Sequence, residues 1–159
     1  MTSLDIEIIV MQHLGIRRNL IVLNVSWGIT IGGRSLHECD LLVLSPNGYA
    51  TEIEIKVSKA DIVKDKQKLH GHVHNAIANL YFAVPDKLRD FALANIPARA
   101  GLICIGSKNT KPTFVKAKQP KRKKNAIKCT DKDRLNLARL GAMRILGLKQ
   151  TIRTHLQNG

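Results

Sequence analysis

The pattern of apolar and polar residues predicts three strands in the first part of the chain. Apolar and β-branched residues fill Leu20–Trp27, and strand-like patterns mark Glu38–Leu44 and Ala50–Val57. The sequence Ser45-Pro46-Asn47-Gly48 between the last two is a strong turn signal. We therefore predict that these two strands pair as a hairpin.

Helices and further strands are predicted around these three. An apolar stripe indicates a first helix from its cap Ser3 to Gly15, and Ser58 caps a second helix from Lys59 towards Leu69. The remaining elements are a strand at 80–84, a helix at 86–94, strands at 101–105 and 111–118, a basic loop at about 116–129, and a helix at 131–148 capped by Thr130. The order α-β-β-β-α-β-α-β with a final helix predicts one α/β domain over 1–159, with helices on the faces of a mixed sheet.

Composition narrows the class of protein. Hydrophobic residues make up 44% of the 159 residues, which suffices for one core and exceeds what disordered chains contain. No apolar run approaches the roughly 20 residues that a membrane helix needs. Asp5 and Glu7 lie where a signal peptide would carry basic residues, and the cysteines form no CxxC pair. We therefore expect a cytoplasmic protein that is not inserted in a membrane.

The charge of the chain predicts a polyanionic partner. Twenty-six Lys and Arg against twelve Asp and Glu give a formal charge of +14. Such a field attracts nucleic acid, with an anionic membrane surface as the alternative. Phe91–Thr130 contains no acid. A basic run within it contains Lys118, Lys121, Arg122, Lys123 and Lys124. We expect this run to bind phosphates without reading bases, and the alternative is a solvated loop.

The predicted hairpin brings two carboxylates together. Alternation places Glu54 and Lys56 on one face of their strand, and pairing of Leu44 with Ala50 puts Asp40 opposite Glu54. Like charges in directly opposed positions repel, so we expect a cation between Asp40 and Glu54. Lys56, about 6.6 Å beyond Glu54 along the strand, is expected to neutralise part of this charge without bridging both carboxylates.

These oxygen ligands favour a particular chemistry. A few hard oxygens, with positions left open for water and phosphate, are typical of a Mg²⁺ or Mn²⁺ site. A metal beside a lysine can activate water and neutralise charge on phosphate, which is what phosphodiester hydrolysis requires. The alternative is a hairpin whose solvent face happens to be acidic.

The same residues resemble a known motif. Asp40, thirteen further residues and then Glu54-Ile55-Lys56, following a helix that carries Glu7, resemble the PD-(D/E)XK nuclease superfamily. That superfamily includes many restriction endonucleases, archaeal Holliday-junction resolvases and phage recombination nucleases. Its restriction-endonuclease-like core has the order α-β-β-β-α-β, as predicted here for roughly Ser3–Val84. Cys39 precedes Asp40 where the motif has proline, as in many members. The chain also resembles small phage and bacterial members.

The resemblance implies roles for individual residues. Asp40 and Glu54 would ligate Mg²⁺, or Mn²⁺, with the Ile55 carbonyl as a third ligand. Lys56 would position or activate the attacking water and stabilise the pentacovalent phosphate. Glu7 matches a first-helix glutamate that some members use as a metal or water ligand. The helix after the catalytic strand often supplies an auxiliary polar group, here Gln67 or Lys68.

A histidine run suggests further contacts. His70 and His74 have a spacing seen in zinc sites, but no Glu follows His70 and Gly71 interrupts the helix. We therefore expect His70 to contact phosphate or DNA near the cleft, together with Lys59 and Lys68.

The sequence therefore predicts a Mg²⁺-dependent DNA nuclease. We expect an endonuclease of recombination, repair or phage DNA processing, encoded by a bacterium or a phage and acting on a junction, an end or a duplex. A homodimer fits the resemblance, because many branched-DNA and restriction nucleases are dimers. The alternative is a non-catalytic nucleic-acid-binding protein with a nuclease-like fold. An RNA-binding protein would leave the acidic hairpin unexplained.

Overall fold

The fold centres on a mixed sheet of six strands. A computed structural model describes residues 1–25, 29–66 and 72–157. The sheet strands are β1 (Leu20–Val25), β4 (Cys39–Leu44), β5 (Ala50–Ile55), β6 (Ile77–Pro85), β7 (Gly101–Lys108) and β8 (Lys111–Lys118), and a small separate hairpin contains β2 (Thr30–Ile31) and β3 (Arg34–Ser35). The order across the sheet is β1-β4-β5-β6-β7-β8. β5, β6 and β7 are parallel to one another, and the other neighbours are antiparallel.

Helices cover both faces of the sheet. They are α1 (Ser3–His13), α2 (Lys59–Asp65), α3 (Arg89–Asn95) and α4 (Asp131–Gln157), with a short 3₁₀ turn at Asp86–Leu88. On one face, Ile6 and Val10 of α1 pack against Ile53 of β5 and Tyr81 of β6. On the other face, α2 and α3 pack on β6 and β7, and α4 packs along β1. The predicted α/β class with a mixed sheet is therefore confirmed.

Most predicted boundaries are close to the observed ones. Ser58 and Thr130 cap α2 and α4 as predicted. Thr2, one residue earlier than expected, caps α1, because its hydroxyl accepts the Asp5 N–H and the Asp5 carboxylate accepts the Thr2 N–H. Gly32 and Gly33 have φ angles of +59° and +77° and form the turn of the β2–β3 hairpin.

The C-terminal part of the chain differs from the prediction. β8 spans Lys111–Lys118 as predicted, so the basic loop begins after Lys118 and not at about 116. The predicted end of the last helix at 148 is wrong: α4 continues to Gln157, and residues 149–157 contain neither glycine nor proline to stop it. Among the helices of the described residues, none is long and apolar enough to cross a membrane.

The β4–β5 hairpin has the predicted register. Leu44 pairs with Ala50, and the ladder continues to Leu41 and Ile53. On its other side, β5 stays paired with β6 up to Ile55. Asp40 and Glu54 therefore lie just beyond the last paired residues of the hairpin, where β4 and β5 no longer form a ladder.

Candidate active site

The Lys56 ammonium lies close to three carboxylates near the end of β5. Its Nζ lies 2.5 Å from Oε2 of Glu54, 3.1 Å from Oδ1 of Asp65 and 3.8 Å from Oδ2 of Asp40. The expectation that Lys56 cannot reach both hairpin carboxylates is wrong. Lys56 follows the last residue of β5, and its long side chain extends back across Glu54. The expected cation between Asp40 and Glu54 is therefore present in the chain itself.

The two hairpin carboxylates differ in exposure. The Glu54 side chain is fully buried, whereas that of Asp40 is 40% exposed. Oδ2 of Asp40 accepts a hydrogen bond of 2.7 Å from the Ile55 N–H. This bond replaces a ladder bond where the hairpin ends, and it fixes the direction of the Asp40 carboxylate. A metal-ligand role for the Ile55 carbonyl stays a prediction.

A cavity of about 290 Å³ opens beside these carboxylates. Its walls come from β1, the start of β4 with the preceding Glu38, β5 and α4, and they include Asn24, Asp40, Glu54 and Arg144. Asn24 has φ +45°, a conformation that non-glycine residues rarely adopt, and it lies at the register position opposite Asp40. Arg144 was not predicted as a site residue, because no local sequence pattern indicates that a residue of α4 reaches this cavity.

Two titrating groups show the balance of charge at the site. Burial opposes the charge of Lys56, but the carboxylates of Glu54, Asp40 and Asp65 outweigh it and raise the pKa of the ammonium above its usual value. Burial, and after it the charge of Asp40, raises the pKa of Glu7 on α1. Lys56 is therefore a cation at neutral pH, and Glu7 is close enough to Asp40 to respond to its charge.

A buried polar network that was not predicted from the sequence extends from Lys56. Nε2 of His72 lies 2.9 Å from Oδ2 of Asp65, and Nδ1 of His72 lies 2.5 Å from Oε1 of Glu52. Nε2 of His37 lies 2.9 Å from the same Glu52 oxygen. All four side chains are buried. The network therefore connects the candidate active site to a second cluster, and Asp65 contacts both Lys56 and His72.

The charges of this network stabilise one another. Burial opposes ionisation of Glu52, but His37 and His72 outweigh it and lower the pKa of Glu52 to about 2. Burial likewise opposes the charge of His72, but Asp65 and Glu52 outweigh it and raise the pKa of His72 to about 9. In the metal-free protein, His72 is thus an imidazolium held between two carboxylates.

The basic segment between β8 and α4 is attached to the sheet. The Lys121 and Lys123 N–H groups donate to the carbonyls of Arg99 and Ala78. Nζ of Lys123 donates to the Val73 carbonyl at 3.0 Å and to Asn75 at 2.8 Å, and Nζ of Lys118 donates to the Ala98 carbonyl at 3.2 Å. The cations of Lys118 and Lys123 are therefore engaged within the protein.

Four basic side chains of this segment are exposed, namely those of Lys121, Arg122, Lys124 and Lys128. The Arg122 guanidinium lies over the Tyr49 ring at 4.1 Å from its centroid. Tyr49 directly precedes β5, so the segment lies near the start of that strand, about 13 Å along it from Glu54. The predicted phosphate contacts and the carboxylates thus lie at different ends of β5.

The remaining predicted contacts come from α2 and the residues that follow it. Lys59 is exposed at the first turn of α2, with its Nζ 5.2 Å from the centroid of the Phe91 ring. Gln67, Lys68 and His70 lie outside the described residues. The auxiliary role of Gln67 or Lys68 therefore stays a prediction, and Asp65, the last residue of α2, contacts Lys56.

Comparison with known proteins supports the fold alone. No family model matches the chain, and no curated protein matches it. The chain is similar to the solved structure of SPO1766, a protein of unknown function from Silicibacter pomeroyi, with a TM-score of 0.56 and 21% sequence identity. The match covers 91% of this chain and 86% of that chain. The two proteins therefore share an α/β fold over most of their lengths.

Proposed function

We propose that this protein is a Mg²⁺-dependent DNA nuclease of the PD-(D/E)XK type, acting as an endonuclease in recombination, repair or phage DNA processing. The observation that carries the proposal is the contact of Lys56 with both Glu54 and Asp40 beside an open cavity. A lysine and two carboxylates at the ends of two adjacent strands are the groups that the motif requires. A basic chain with acids concentrated at one cavity also matches an enzyme that cleaves a polyanion.

The order of elements supports a restriction-endonuclease-like core. Helix α1, strands β1, β4 and β5, helix α2 and strand β6 follow one another in the order α-β-β-β-α-β. The β2–β3 hairpin is an insertion between the first two strands of this core. Asp40 then lies on the second core strand, and Glu54 and Lys56 lie at the end of the third.

The donor set fits a hard divalent cation. Asp40 and Glu54 both line the cavity, and carboxylate oxygens with space for water are the ligands that Mg²⁺ and Mn²⁺ prefer. These two residues would hold the ion, with Glu38 on the same cavity wall. When bound, the ion would lower the pKa of a water and neutralise charge on the phosphate.

Residues of the chain itself would orient the water and offset the charge that develops on the phosphate. Because the pKa of Lys56 is raised, its ammonium is a hydrogen-bond donor and not a base at neutral pH. It would hold the attacking water and offset negative charge as that charge develops on the phosphate. Asp65 and Glu54 limit the positions that the ammonium can occupy. Glu7, whose pKa is raised, would accept a proton from the water more readily than an ordinary carboxylate.

Exposed cations would hold the DNA. The Arg122 guanidinium lies over Tyr49, next to the start of β5, and that start is about 13 Å along the strand from Glu54, which corresponds to about four base-pair steps of a duplex. One duplex could therefore contact both places. Such contacts to phosphate would add affinity without sequence preference.

One observation favours a second candidate, a nucleic-acid-binding protein without catalysis. Lys56 already neutralises Glu54 and Asp65, and Arg144 lines the same cavity as Asp40. These cations lessen the need for a metal to offset the carboxylates. A binding protein could then keep this acid cluster as a purely structural element.

Cleavage assays separate the two candidates. Linear, nicked and four-way-junction DNA are incubated with the protein in Mg²⁺, in Mn²⁺ or in EDTA, with Asp40→Asn as the control variant. The nuclease proposal expects cleavage of at least one DNA form that depends on the metal and is lost in Asp40→Asn. Binding of DNA without metal-dependent cleavage of any form would favour the second candidate.

A further inference from the structure

A second group of metal-ligand side chains lies apart from the candidate active site. His37 precedes β4, Glu52 lies in the middle of β5, and His72 lies in the segment before β6. One ligand atom of each residue lies within 4.8 Å of the ligand atoms of the other two. The exposed fractions of the three residues are 5%, 0% and 2%. Three segments that are distant in sequence thus bring two imidazoles and one carboxylate to one buried point.

The hydrogen bonds around His72 match those of a metal-bound histidine. Nε2 of His72 lies 2.9 Å from the Asp65 carboxylate, while Nδ1 is directed at Glu52. Histidines that bind a metal through one nitrogen usually donate the other N–H to a carboxylate, which fixes the tautomer and the ring. The Asp65 carboxylate is in position to accept this N–H hydrogen bond from His72.

The hydrogen bonds of Glu52 involve only one of its two carboxylate oxygens. Both imidazoles approach Oε1, at 2.5 Å and 2.9 Å. The other oxygen, Oε2, is buried without a hydrogen-bond partner among the described residues. A fully buried carboxylate oxygen that lacks a partner is costly in a folded protein. Coordination to a cation would give the carboxylate a further partner.

The ligand types indicate which metal would bind. Two imidazole nitrogens and one carboxylate oxygen suit Zn²⁺, whereas Mg²⁺ prefers oxygen ligands alone. Ligand atoms around a tetrahedral Zn²⁺ are about 3.3 Å apart, given bonds of roughly 2.0 to 2.1 Å. The distances from the Glu52 oxygen to the two histidine nitrogens, now 2.5 and 2.9 Å, would therefore increase by less than about 1 Å.

We propose that His37, Glu52 and His72 form a Zn²⁺ site, with Asp65 as the carboxylate that positions His72. The site is separate from the pair of carboxylates Asp40 and Glu54. The bound ion cross-links the segment before β4, strand β5 and the segment before β6. Because Asp65 also contacts Lys56 at 3.1 Å, the ion holds in place a residue that orients the candidate catalytic lysine.

Metal binding by the whole chain tests the site without any assay of activity. The protein is freed of metal with EDTA and titrated with Zn²⁺ in competition with a chromophoric chelator. We expect one tight Zn²⁺ per chain in the wild type, and a loss of affinity of about 100-fold or more in His37→Gln and in His72→Gln, because each lacks one of three ligands. His74→Gln is the matched control, since His74 is a half-buried histidine that bonds the Arg34 carbonyl.

A second measurement distinguishes loss of the metal site from loss of the fold. Co²⁺ replaces Zn²⁺ in the wild type and in His37→Gln, and the visible absorption spectrum reports the coordination while circular dichroism reports the fold. We expect tetrahedral ligand-field bands in the wild type and their loss in a folded His37→Gln. Asp40→Asn should keep both the bands and the Zn²⁺ affinity. The proposal is overturned if the wild type binds no Zn²⁺ at micromolar concentration, or if His37→Gln binds it as tightly as the wild type.

Discussion

The Nζ atom of Lys56 lies 2.5 Å from Oε2 of Glu54, and the Glu54 side chain is fully buried. In a buried ion pair each charge compensates the other for its loss of hydration. Removing one partner therefore leaves an uncompensated buried charge and destabilises the fold. Asp65 adds a second buried carboxylate to the same ammonium. The lysine of the motif is thus also a structural residue, and its loss should affect both stability and chemistry.

Replacing Lys56 should therefore destabilise the metal-free protein. Lys56→Met removes the ammonium that contacts Glu54 and Asp65, and we expect the free energy of unfolding to fall by about 3 to 5 kcal/mol, because the buried Glu54 loses a cation at 2.5 Å. Urea denaturation in EDTA measures this change. Lys59→Met, at an exposed position, is the control and should stay within about 0.5 kcal/mol of the wild type. Equal stability of Lys56→Met and the wild type would show that the buried ion pair is not formed.

The proposed metal ligands predict a specific loss of Mg²⁺ binding. Asp40→Asn removes one of two negatively charged ligands, so we expect Mg²⁺ affinity to fall by about tenfold or more. Isothermal titration calorimetry compares it with Asp90→Asn, which removes an exposed carboxylate of α3. The assignment fails if both variants bind Mg²⁺ as the wild type does.

The exposed part of the basic segment should contribute to DNA affinity without sequence preference. Lys121→Ala combined with Lys124→Ala removes two exposed cations, and we expect the slope of log K against log salt to flatten by roughly two units. The matched control is Lys108→Ala with Lys111→Ala at the β7–β8 turn. An unchanged slope for the first pair would mean that the DNA footprint lies elsewhere. Lys123 is left intact, because its ammonium bonds Asn75.

The network around His72 predicts how stability depends on pH in EDTA-treated protein. Glu52, Asp65, His37 and the Arg99 side chain, which donates to the His72 carbonyl, surround the imidazole. The pKa of His72 is raised to about 9 from 6.5, so its contribution is complete below pH 6.5 and is lost as pH rises through 9. The pKa of Glu52 is lowered to about 2 from 4.5, so its contribution is complete above pH 4.5 and is lost as pH falls towards 2.

We therefore expect the free energy of unfolding to be greatest between pH 4.5 and 6.5. Between the upper end of this range and pH 9 it should fall by about 3 kcal/mol, since one pKa unit corresponds to about 1.4 kcal/mol. Urea denaturation at several pH values measures the curve. His72→Gln should remove the alkaline loss, whereas His74→Gln should keep it. A curve that is equally flat in all three proteins would contradict the charged state of His72.

The local part of the fold was predictable from the sequence. The turn at Ser45–Gly48 fixes the hairpin register, and the pairing of Leu44 with Ala50 follows from it. Strand alternation then puts Glu54 and Lys56 on one face, which is why the motif residues could be identified. The reach of Lys56 could not be predicted, because it depends on where the ladder ends and not on the spacing along an ideal strand.

The buried network was not predictable in the same way. Its members come from positions 37, 52, 65 and 72, and only the tertiary fold brings them together. The available signal was Glu52, an acid on the same face of β5 as Glu54. The alternative of an acidic face turned to solvent does not hold, because β5 lies between β4 and β6 with helices on both faces of the sheet. Its acids are therefore buried and need partners.

Single-turnover cleavage by Lys56→Met, set beside its DNA affinity, tests the central claim most directly. The rate is measured in Mg²⁺ at a temperature where circular dichroism shows the variant to be folded, and the affinity is measured in Ca²⁺. An interaction that forms only in the transition state changes rate and leaves affinity largely unaltered. We predict cleavage slower by about 100-fold or more, with affinity changed by less than about threefold. If the wild type cleaves no DNA form in Mg²⁺ or Mn²⁺ and Lys56→Met mainly loses affinity, Lys56 is a phosphate contact and the nuclease account is contradicted.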